Sequence, residues 1–215
     1  MIPPDWLQNR GKGSTVGIID TGLEASLSCF KSPQITYKEF GATSKRHGTH
    51  IASTILDFAP EVEVIFAGGI LESYAKLEEM IDWISKFDLD VLNLSFTFRD
   101  KDESILEKLQ KISSTGTLVV CSHATKTLYP WSISEFINAG ENGEFKAPEE
   151  WTTYSSTGYR TLMKGSSTSA AITSGLCCLG KAIIPEMNKE EFLSTVDPKD
   201  IPKYETPKRQ KILKL

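Results

Sequence analysis

Residues 15–22 read Thr-Val-Gly-Ile-Ile-Asp-Thr-Gly, a stretch that has the pattern of a strand followed by a turn. Its first five residues form a short apolar run rich in β-branched side chains, which is typical of a buried strand in a parallel sheet. The run ends at Asp20, Thr21 and Gly22, so a carboxylate follows the strand directly. Ligands and catalytic groups collect at such strand ends in open α/β sheets. The stretch therefore predicts a central parallel strand that ends in a functional group.

The same alternation of apolar strand and amphipathic helix continues along the chain. Further strands are predicted at residues 62–67, 91–95 and 117–121. Helical periodicity predicts helices at residues 48–58, 73–86 and 103–112, and a buried helix that follows Ser167 and ends near residues 180–185. Strands that alternate with helices predict an α/β fold with a mostly parallel, doubly wound central sheet.

Length and composition favour one compact domain over residues 1–215, because the chain has 215 residues of which 40% are hydrophobic. A formal net charge of −4 argues against nucleic acid as a partner. No apolar run approaches the roughly 20 residues that cross a bilayer, and the first residues lack the pattern of a signal peptide. We therefore expect a cytoplasmic protein without a membrane partner, in which residues 198–215 form a loosely ordered tail.

The cysteine pattern predicts neither disulfides nor a metal site. The four cysteines are Cys29, Cys121, Cys177 and Cys178. Adjacent cysteines rarely pair with each other, and nothing in the sequence suggests export, so we interpret all four as reduced thiols. Their spacing does not supply the close ligand pairs of a zinc site. No cofactor is expected.

Three short motifs together supply an acid, a base and a nucleophile. Asp20 follows a strand, His47 opens the segment His-Gly-Thr-His at 47–50, and Ser167 lies in Gly-Ser-Ser-Thr-Ser-Ala-Ala at 165–171. A serine hydroxyl is a weak nucleophile at neutral pH, so it needs an imidazole to take its proton and a carboxylate to orient that imidazole. The three motifs therefore predict a catalytic triad of Asp20, His47 and Ser167, with the histidine between the other two.

The motifs, in the order Asp, His, Ser, resemble the signatures of the subtilisin (subtilase) family. The resemblance covers residues 14–195, because other segments similar to the family occur in the same order. These segments are 59–60, 92–95, 116–121, 129–130, 147–148 and 156–159. The resemblance implies a subtilisin-like three-layer sandwich and a serine endopeptidase that forms an acyl-enzyme. His50 is expected to pack or to make a helix hydrogen bond rather than to react.

The sequence departs from the family where the side chain of the oxyanion hole is expected. The family places an asparagine after the strand that resembles residues 118–121. Ungapped alignment from Gly116 puts Thr125 at that position, and a short gap puts His123 there. Either side chain could donate a hydrogen bond. The departure favours a slow or selective enzyme, and it leaves open a catalytically weak or inactive pseudo-protease that acts as a peptide-binding or regulatory module.

The resemblance also implies two stretches of main chain that bind substrate. The first contains Ser95, Phe96 and Thr97, and the second contains Gly68 and Gly69. A peptide would add to these stretches as an extended strand. Bulky Phe96 predicts a shallow or altered first pocket. The family's calcium-binding insertion after the His-Gly-Thr-His helix is absent from this sequence, so no calcium is expected there.

The chain starts about 20 residues before Asp20, which leaves no room for the propeptide of secreted relatives. We expect its activity on peptide or protein substrates to be limited in another way. Narrow specificity in intracellular processing, a separate inhibitor or a partner domain would each suffice. A nucleotide-binding α/β protein is the remaining alternative, but its glycine-rich turn would follow the first strand, whereas Gly11 and Gly13 precede it.

Overall fold

The computed structural model of the protein describes residues 2–31, 34–123, 128–130 and 133–201. The strands are β1 (Thr15–Asp20), β2 (Ile35–Glu39), β3 (Glu63–Gly68), β4 (Val91–Leu94), β5 (Leu118–Ser122), β6 (Ile137–Ala139), β7 (Glu150–Tyr154) and β8 (Arg160–Lys164). The helices are α1 (Pro4–Asn9), α2 (Lys45–Phe58), α3 (Tyr74–Ile84), α4 (Glu103–Ser114), α5 (Ser166–Lys181) and α6 (Lys189–Thr195). Two short 3₁₀ turns cover Ser28–Phe30 and Pro198–Asp200.

Within the described residues, six strands form one sheet in the order β2-β3-β1-β4-β5-β6. Every neighbouring pair in this sheet is parallel. The chain leaves β1 toward one edge through β2 and β3, and then crosses to the other side of β1 to form β4. Strands β7 and β8 form a separate antiparallel hairpin. The prediction of a mostly parallel, doubly wound α/β sheet is confirmed.

Helices cover both faces of the sheet, so the molecule has three layers. Alternate side chains of β3 show this, because Val64 and Phe66 pack in the core beneath α2 and α5, whereas Ile65 and Ala67 pack in the core beneath α3 and α4. These four side chains are 0–2% exposed. A strand that is buried on both faces needs the continuous apolar sequence from which these strands were predicted. The buried helix predicted after Ser167 is α5.

The structure adds elements that the sequence pattern did not predict. Helix α1 starts with a proline at its first position, and helix α6 starts with a capping box made by Asn188 and Glu191. Helix α2 begins at Lys45, three residues earlier than predicted, which places His47 in its first turn. In the predicted tail, the side chain of Ile201 is buried, and residues 202–215 lie outside the described part of the chain.

Candidate active site

Asp20 is the last residue of β1, at the carboxyl edge of the sheet, and its side chain is 2% exposed. The main-chain N–H of Thr21 donates to Asp20 Oδ1 over 2.6 Å. Thr21 also joins the strand to the start of α2, because its hydroxyl donates to the Ser44 carbonyl at 2.7 Å and its carbonyl accepts from the Ser44 N–H at 2.8 Å. The motif after β1 therefore fixes both the carboxylate and the beginning of the next helix.

His47 lies against this carboxylate. Its Nδ1 is 2.9 Å from Asp20 Oδ1 and 3.0 Å from Oδ2. With Nδ1–H donating to the carboxylate, Nε2 of the neutral ring is left as a proton acceptor. The His47 side chain is 38% exposed, so this acceptor belongs to a ring that solvent can reach. Burial lowers the pKa of His47, but the hydrogen bond and charge of Asp20 raise it by more, so the net pKa is above its ordinary value.

Gly48 allows α2 to approach the end of β1 closely. A Cβ atom at this position would lie 2.4 Å from the Gly22 carbonyl oxygen, 2.7 Å from the Phe66 ring and 3.2 Å from Asp20 Oδ1. Distances of 2.4 and 2.7 Å are shorter than ordinary van der Waals contact. The carbonyl oxygen of Gly22 is part of the main chain, so it cannot move away by a change of rotamer. Only glycine at position 48 therefore allows α2 to pack this closely beside the Asp20–His47 pair.

We expect Gly48→Ala to lower the free energy of unfolding by a net ~1–2 kcal/mol, because overpacking costs more than the added helix propensity contributes. Chemical denaturation measures this loss. Displacement of α2 should also weaken the bond to Asp20, so the pKa of His47, followed by NMR, should fall toward its ordinary value. Lys45→Ala, an exposed change in the same turn, is the control. An unaltered stability and His47 pKa in Gly48→Ala would contradict the packing role.

Ser167 lies in the first turn of α5, and Gly165 directs the chain into that turn. Gly165 has a φ of 117°, a value that residues with a Cβ rarely adopt. The Ser167 side chain is half-buried, and its Oγ donates to the Ser95 carbonyl at 3.2 Å. Among the described residues, no hydrogen bond joins Ser167 to His47. Asp20 is thus hydrogen-bonded to His47, whereas the Ser167 hydroxyl is hydrogen-bonded to the main chain that follows β4.

A buried polar chain supports Ser95 beneath the serine. Ser95 Oγ donates to Asn93 Oδ1 at 2.9 Å, and Asn93 Nδ2 donates to Ser174 Oγ at 2.9 Å. Ser174 belongs to α5, so this chain connects the end of β4 to the helix that carries Ser167. Sequence reasoning missed Asn93 and Ser174. A polar residue inside the apolar strand at 91–95 was the available signal.

The two oxyanion candidates differ in what the structure describes. Thr125 lies outside the described residues. His123 follows β5 and is buried, and its main-chain N–H donates to the Ala139 carbonyl at 2.9 Å. The first turn of α5 supplies the main-chain N–H of Ser167 beside its side chain, and N–H groups at a helix start attract negative charge.

The two predicted substrate-binding stretches also differ. Gly68 and Gly69 are buried, the Gly68 carbonyl accepts from the Phe40 N–H, and the Gly69 N–H donates to the Asp20 carbonyl. Those groups are therefore already bonded within the protein. Phe96 and Thr97 instead line a cavity of about 480 Å³. The other lining residues are Leu71, Glu72, Ser73, Tyr74, Leu77 and Phe98.

His50 lies one helical turn after His47. Its carbonyl accepts from Thr54 Oγ1 at 2.8 Å, while its buried Nδ1 has no hydrogen-bond partner within the described part of the chain. Burial, reinforced by the nearby His47 and Arg46, lowers the pKa of His50. The lowered pKa favours the neutral form of the imidazole, and the His50 carbonyl binds the hydroxyl of Thr54 one turn later in the helix.

In the described ranges, no group of three or more His, Cys, Asp or Glu side chains is placed to hold a metal ion. Of the helices in those ranges, none has the length and apolarity needed to cross a bilayer. The four cysteines are free, and burial raises the pKa of Cys29 to about 11.

Solved structures share this fold. A cold-adapted subtilisin-like serine proteinase superposes with a TM-score of 0.70 at 15% identity, over 86% of this chain and 81% of the other. The prenylagaramide maturation protease PagA gives a TM-score of 0.71 at 16% identity, over 93% and 92% of the two chains. The protease domain of PatA, as its S218A mutant, gives 0.71 at 17% identity, over 84% and 85%. At these identities, the likeness concerns the fold.

Sequence comparison adds the family. The chain is 29% identical over 143 residues to subtilisin DY of Bacillus licheniformis, which covers 57% of this chain and 52% of that protein. The chain thus spans about half the length of this curated relative. Residues 11–147 match the model of the subtilase family, a region that includes Asp20 and His47 and ends before Ser167. With the fold and the Asp20–His47 pair, this match shows that the chain belongs to the subtilase family.

Proposed function

We propose that the protein is a serine endopeptidase that hydrolyses peptide bonds with Asp20, His47 and Ser167. The observation that carries the proposal is the hydrogen bond between the buried carboxylate of Asp20 and Nδ1 of His47, whose ring is partly exposed. This arrangement fixes the ring and leaves Nε2 as the base, which is the role that a serine nucleophile requires. Ser167, at the start of α5, is the nucleophile in this proposal.

In the proposed reaction, Ser167 Oγ attacks the carbonyl carbon of the scissile peptide bond while its proton passes to His47 Nε2. Asp20 stabilises the imidazolium that forms. His47 then gives the proton to the departing amine, and the C–N bond breaks to leave an acyl-enzyme. Water repeats the sequence, with its proton taken by His47, and releases the acid product together with the free serine.

The proposed reaction requires the serine hydroxyl to leave the Ser95 carbonyl. Rotation about the Cα–Cβ and Cβ–Oγ bonds of Ser167 would redirect the hydroxyl and its proton to another staggered position. The bond that is given up is a neutral hydrogen bond of 3.2 Å, with a net worth of about 1 kcal/mol. This cost is small beside a catalytic barrier, and substrate binding at the end of β4 would offset it.

We propose that the oxyanion is held by the main-chain N–H of Ser167 and by a side chain after β5, either Thr125 or His123. If Thr125 occupies the position, Thr125→Asn should raise kcat by about tenfold with little change in KM, because the donor acts on charge that develops in the transition state. Steady-state kinetics on a cleaved peptide give both constants. A reduced kcat in Thr125→Asn would contradict this role for Thr125.

His123→Ala is the contrasting variant. A loss of tenfold or more in kcat, with the fold retained, would assign the donor to the imidazole and require the gapped alignment. If neither variant changes kcat, main-chain N–H groups alone hold the oxyanion.

The proposed substrate is an extended peptide or protein segment with a bulky apolar side chain. The cavity beside Phe96 and Thr97 has aromatic and leucine side chains in its wall, among them Tyr74 and Phe98, and these fit such a side chain. One structural relative is described as a maturation protease. We therefore propose narrow specificity in the intracellular processing of a peptide or partner protein. We further propose that a separate inhibitor or a partner domain limits the activity.

A peptide library tests the proposal. The purified protein is incubated with peptides of randomised sequence, and mass spectrometry identifies the bonds that are cut. Cleavage after extended segments that carry an aromatic or large aliphatic residue at a fixed distance from the cut is expected. A second candidate, a peptide-binding module without turnover, is favoured by the hydrogen bond that turns Ser167 Oγ toward Ser95. Binding of library members without any cleavage would support this module instead.

A further inference from the structure

We infer that the ion pair between Asp57 and Arg160 is a positioning device that sets Ser167 against His47. The inference rests on the proposed function, because it assigns a role in serving the same nucleophile and base. Neither residue belongs to the triad, but Asp57 lies on the same helix as His47, and Arg160 lies in the strand that precedes Ser167.

Chain topology places the pair between the two elements that must be aligned. Helix α2 carries His47 in its first turn and Asp57 in its last. The β7–β8 hairpin leads directly through Gly165 into Ser167. The position of the hairpin on α2 therefore contributes to where the nucleophile lies relative to the base, in addition to the direct packing of α5 on α2.

The hairpin lacks the support of the main sheet. Strands β7 and β8 pair only with each other, whereas β1 to β6 are joined in one six-stranded sheet within the described residues. Contacts with α2 and α5 therefore fix the hairpin's position, and the polar contacts are those with α2. A two-stranded hairpin is only marginally stable by itself in water, so such contacts decide where it lies.

These contacts form a polar seam along one face of α2, defined by His50, Ser53 and Asp57. At the end nearer His47, Thr153 Oγ1 donates to the His50 carbonyl at 3.4 Å. In the middle, Ser53 Oγ accepts from the Tyr154 N–H at 2.9 Å and is hydrogen-bonded to the Thr153 hydroxyl. The seam thus spans two turns of the helix and follows β7 throughout.

The far end of the seam is the strongest and most directional part. Arg160 donates two hydrogen bonds to the carboxylate of Asp57, at 2.8 and 3.1 Å, and Trp151 Nε1 donates a third at 2.9 Å. The guanidinium also donates to the Thr152 carbonyl and lies 4.8 Å from the centre of the Tyr154 ring. The Arg160 side chain, which belongs to β8, therefore contacts both β7 and α2.

Burial makes this contact selective for one geometry. The Asp57 and Arg160 side chains are 19% and 23% exposed. Burial raises the pKa of Asp57, and Arg160 opposes that effect. A carboxylate held away from water needs its partner, and a planar guanidinium satisfies both oxygens only in one orientation. A shift of the hairpin along α2 would break both bonds together.

Arg160→Lys tests the inference, because lysine keeps the charge but cannot make the forked contact. The probe is a fluorophosphonate, which forms a bond from phosphorus to the serine oxygen and releases fluoride. Its labelling yields a rate constant and a final amplitude. A displaced nucleophile lowers the rate constant, since misplacement by about 1 Å can cost as much as ~100-fold. A role in stability alone would lower the folded fraction, and hence the amplitude, with an unchanged rate constant.

We expect Arg160→Lys to lower the rate constant by about tenfold with a full amplitude, and to lower kcat for a cleaved peptide with KM changed less than twofold. Asp57→Asn, which keeps the shape of the side chain, should act in the same direction. Glu150→Gln is the matched control, because it removes an exposed ion pair with Lys164 inside the same hairpin and leaves the seam intact. Its rate constant should equal that of the wild type.

The outcomes separate this inference from the proposed function. If the wild-type protein is labelled and both variants at Asp57 and Arg160 react at the wild-type rate, the positioning role is overturned and the proposed function stands. A loss of amplitude alone also overturns the positioning role. A folded wild-type protein that is never labelled overturns the proposed function and this inference with it.

Discussion

Ser167→Ala should abolish peptide cleavage, with a loss of about 10⁶-fold in kcat, because no other group can form the acyl-enzyme. Removal of the nucleophile in subtilisin, a member of this family, costs about this much. The fold should persist. Ser167 is half-buried at the start of α5, and its hydroxyl makes one hydrogen bond, so the thermal midpoint should change by only a few degrees.

Ser166→Ala is the matched control for this variant. It removes a hydroxyl from the preceding residue in the same helical turn and should retain wild-type cleavage. Wild-type cleavage by Ser167→Ala would contradict the assignment of the nucleophile. Loss of folding in Ser167→Ala would instead make Ser167 a structural residue.

Asp20→Asn should lower kcat by about 10⁴-fold while the protein remains folded. An amide in place of the carboxylate no longer selects the tautomer that leaves Nε2 free, and it cannot stabilise the imidazolium. Cleavage needs neutral His47, so the wild-type rate should rise as the pH increases through the raised pKa of that residue. In Asp20→Asn the raising effect is lost and the effect of burial remains, so the residual rate should rise at lower pH than in the wild type.

A pH series of kcat/KM on one peptide measures both effects. Asp90→Asn is the control, since Asp90 is a half-buried carboxylate that accepts from the Thr15 N–H, near the start of β1 instead of its end. It should alter stability without moving the pH profile. An unchanged midpoint in Asp20→Asn would show that His47 is not the group whose ionisation limits the rate.

The central part of the fold was predictable because its strands are buried on both faces. The apolar runs at 15–19, 62–67, 91–95 and 117–121 correspond to β1, β3, β4 and β5. The predicted ends differ from the observed ends by at most one residue. Strand β2 was missed because it lies at the sheet edge, half-exposed, and its sequence Ile-Thr-Tyr-Lys-Glu has no continuous apolar pattern. Helix α6 was missed because it has only seven residues, too few to show a helical period, although Asn188 and Glu191 form a capping box at its start.

Residues of the candidate site could be predicted from the sequence only where they belong to a short local motif. Asp20, His47 and Ser167 each stand in such a motif, whereas the contacts around them come from distant parts of the chain. Asp57 and Arg160 are 103 residues apart in sequence, and neither residue is part of a recognisable pattern. The burial of Gly68 and Gly69 beneath the residues after β2 likewise depends on tertiary packing, which the sequence does not show, and their role in substrate binding stays a prediction.

A serine endopeptidase requires Ser167 to be an activated nucleophile, and this can be measured directly. The folded wild-type protein is incubated with a fluorophosphonate between pH 6 and 9, and mass spectrometry locates the label, with Ser167→Ala treated in parallel. The assignment of Ser167 as the nucleophile predicts one equivalent of label on Ser167 in the wild-type protein, formed faster as the pH rises through the pKa of His47, and none in the variant. A folded wild-type protein that remains unlabelled across this range, or a label that persists in Ser167→Ala, would contradict it.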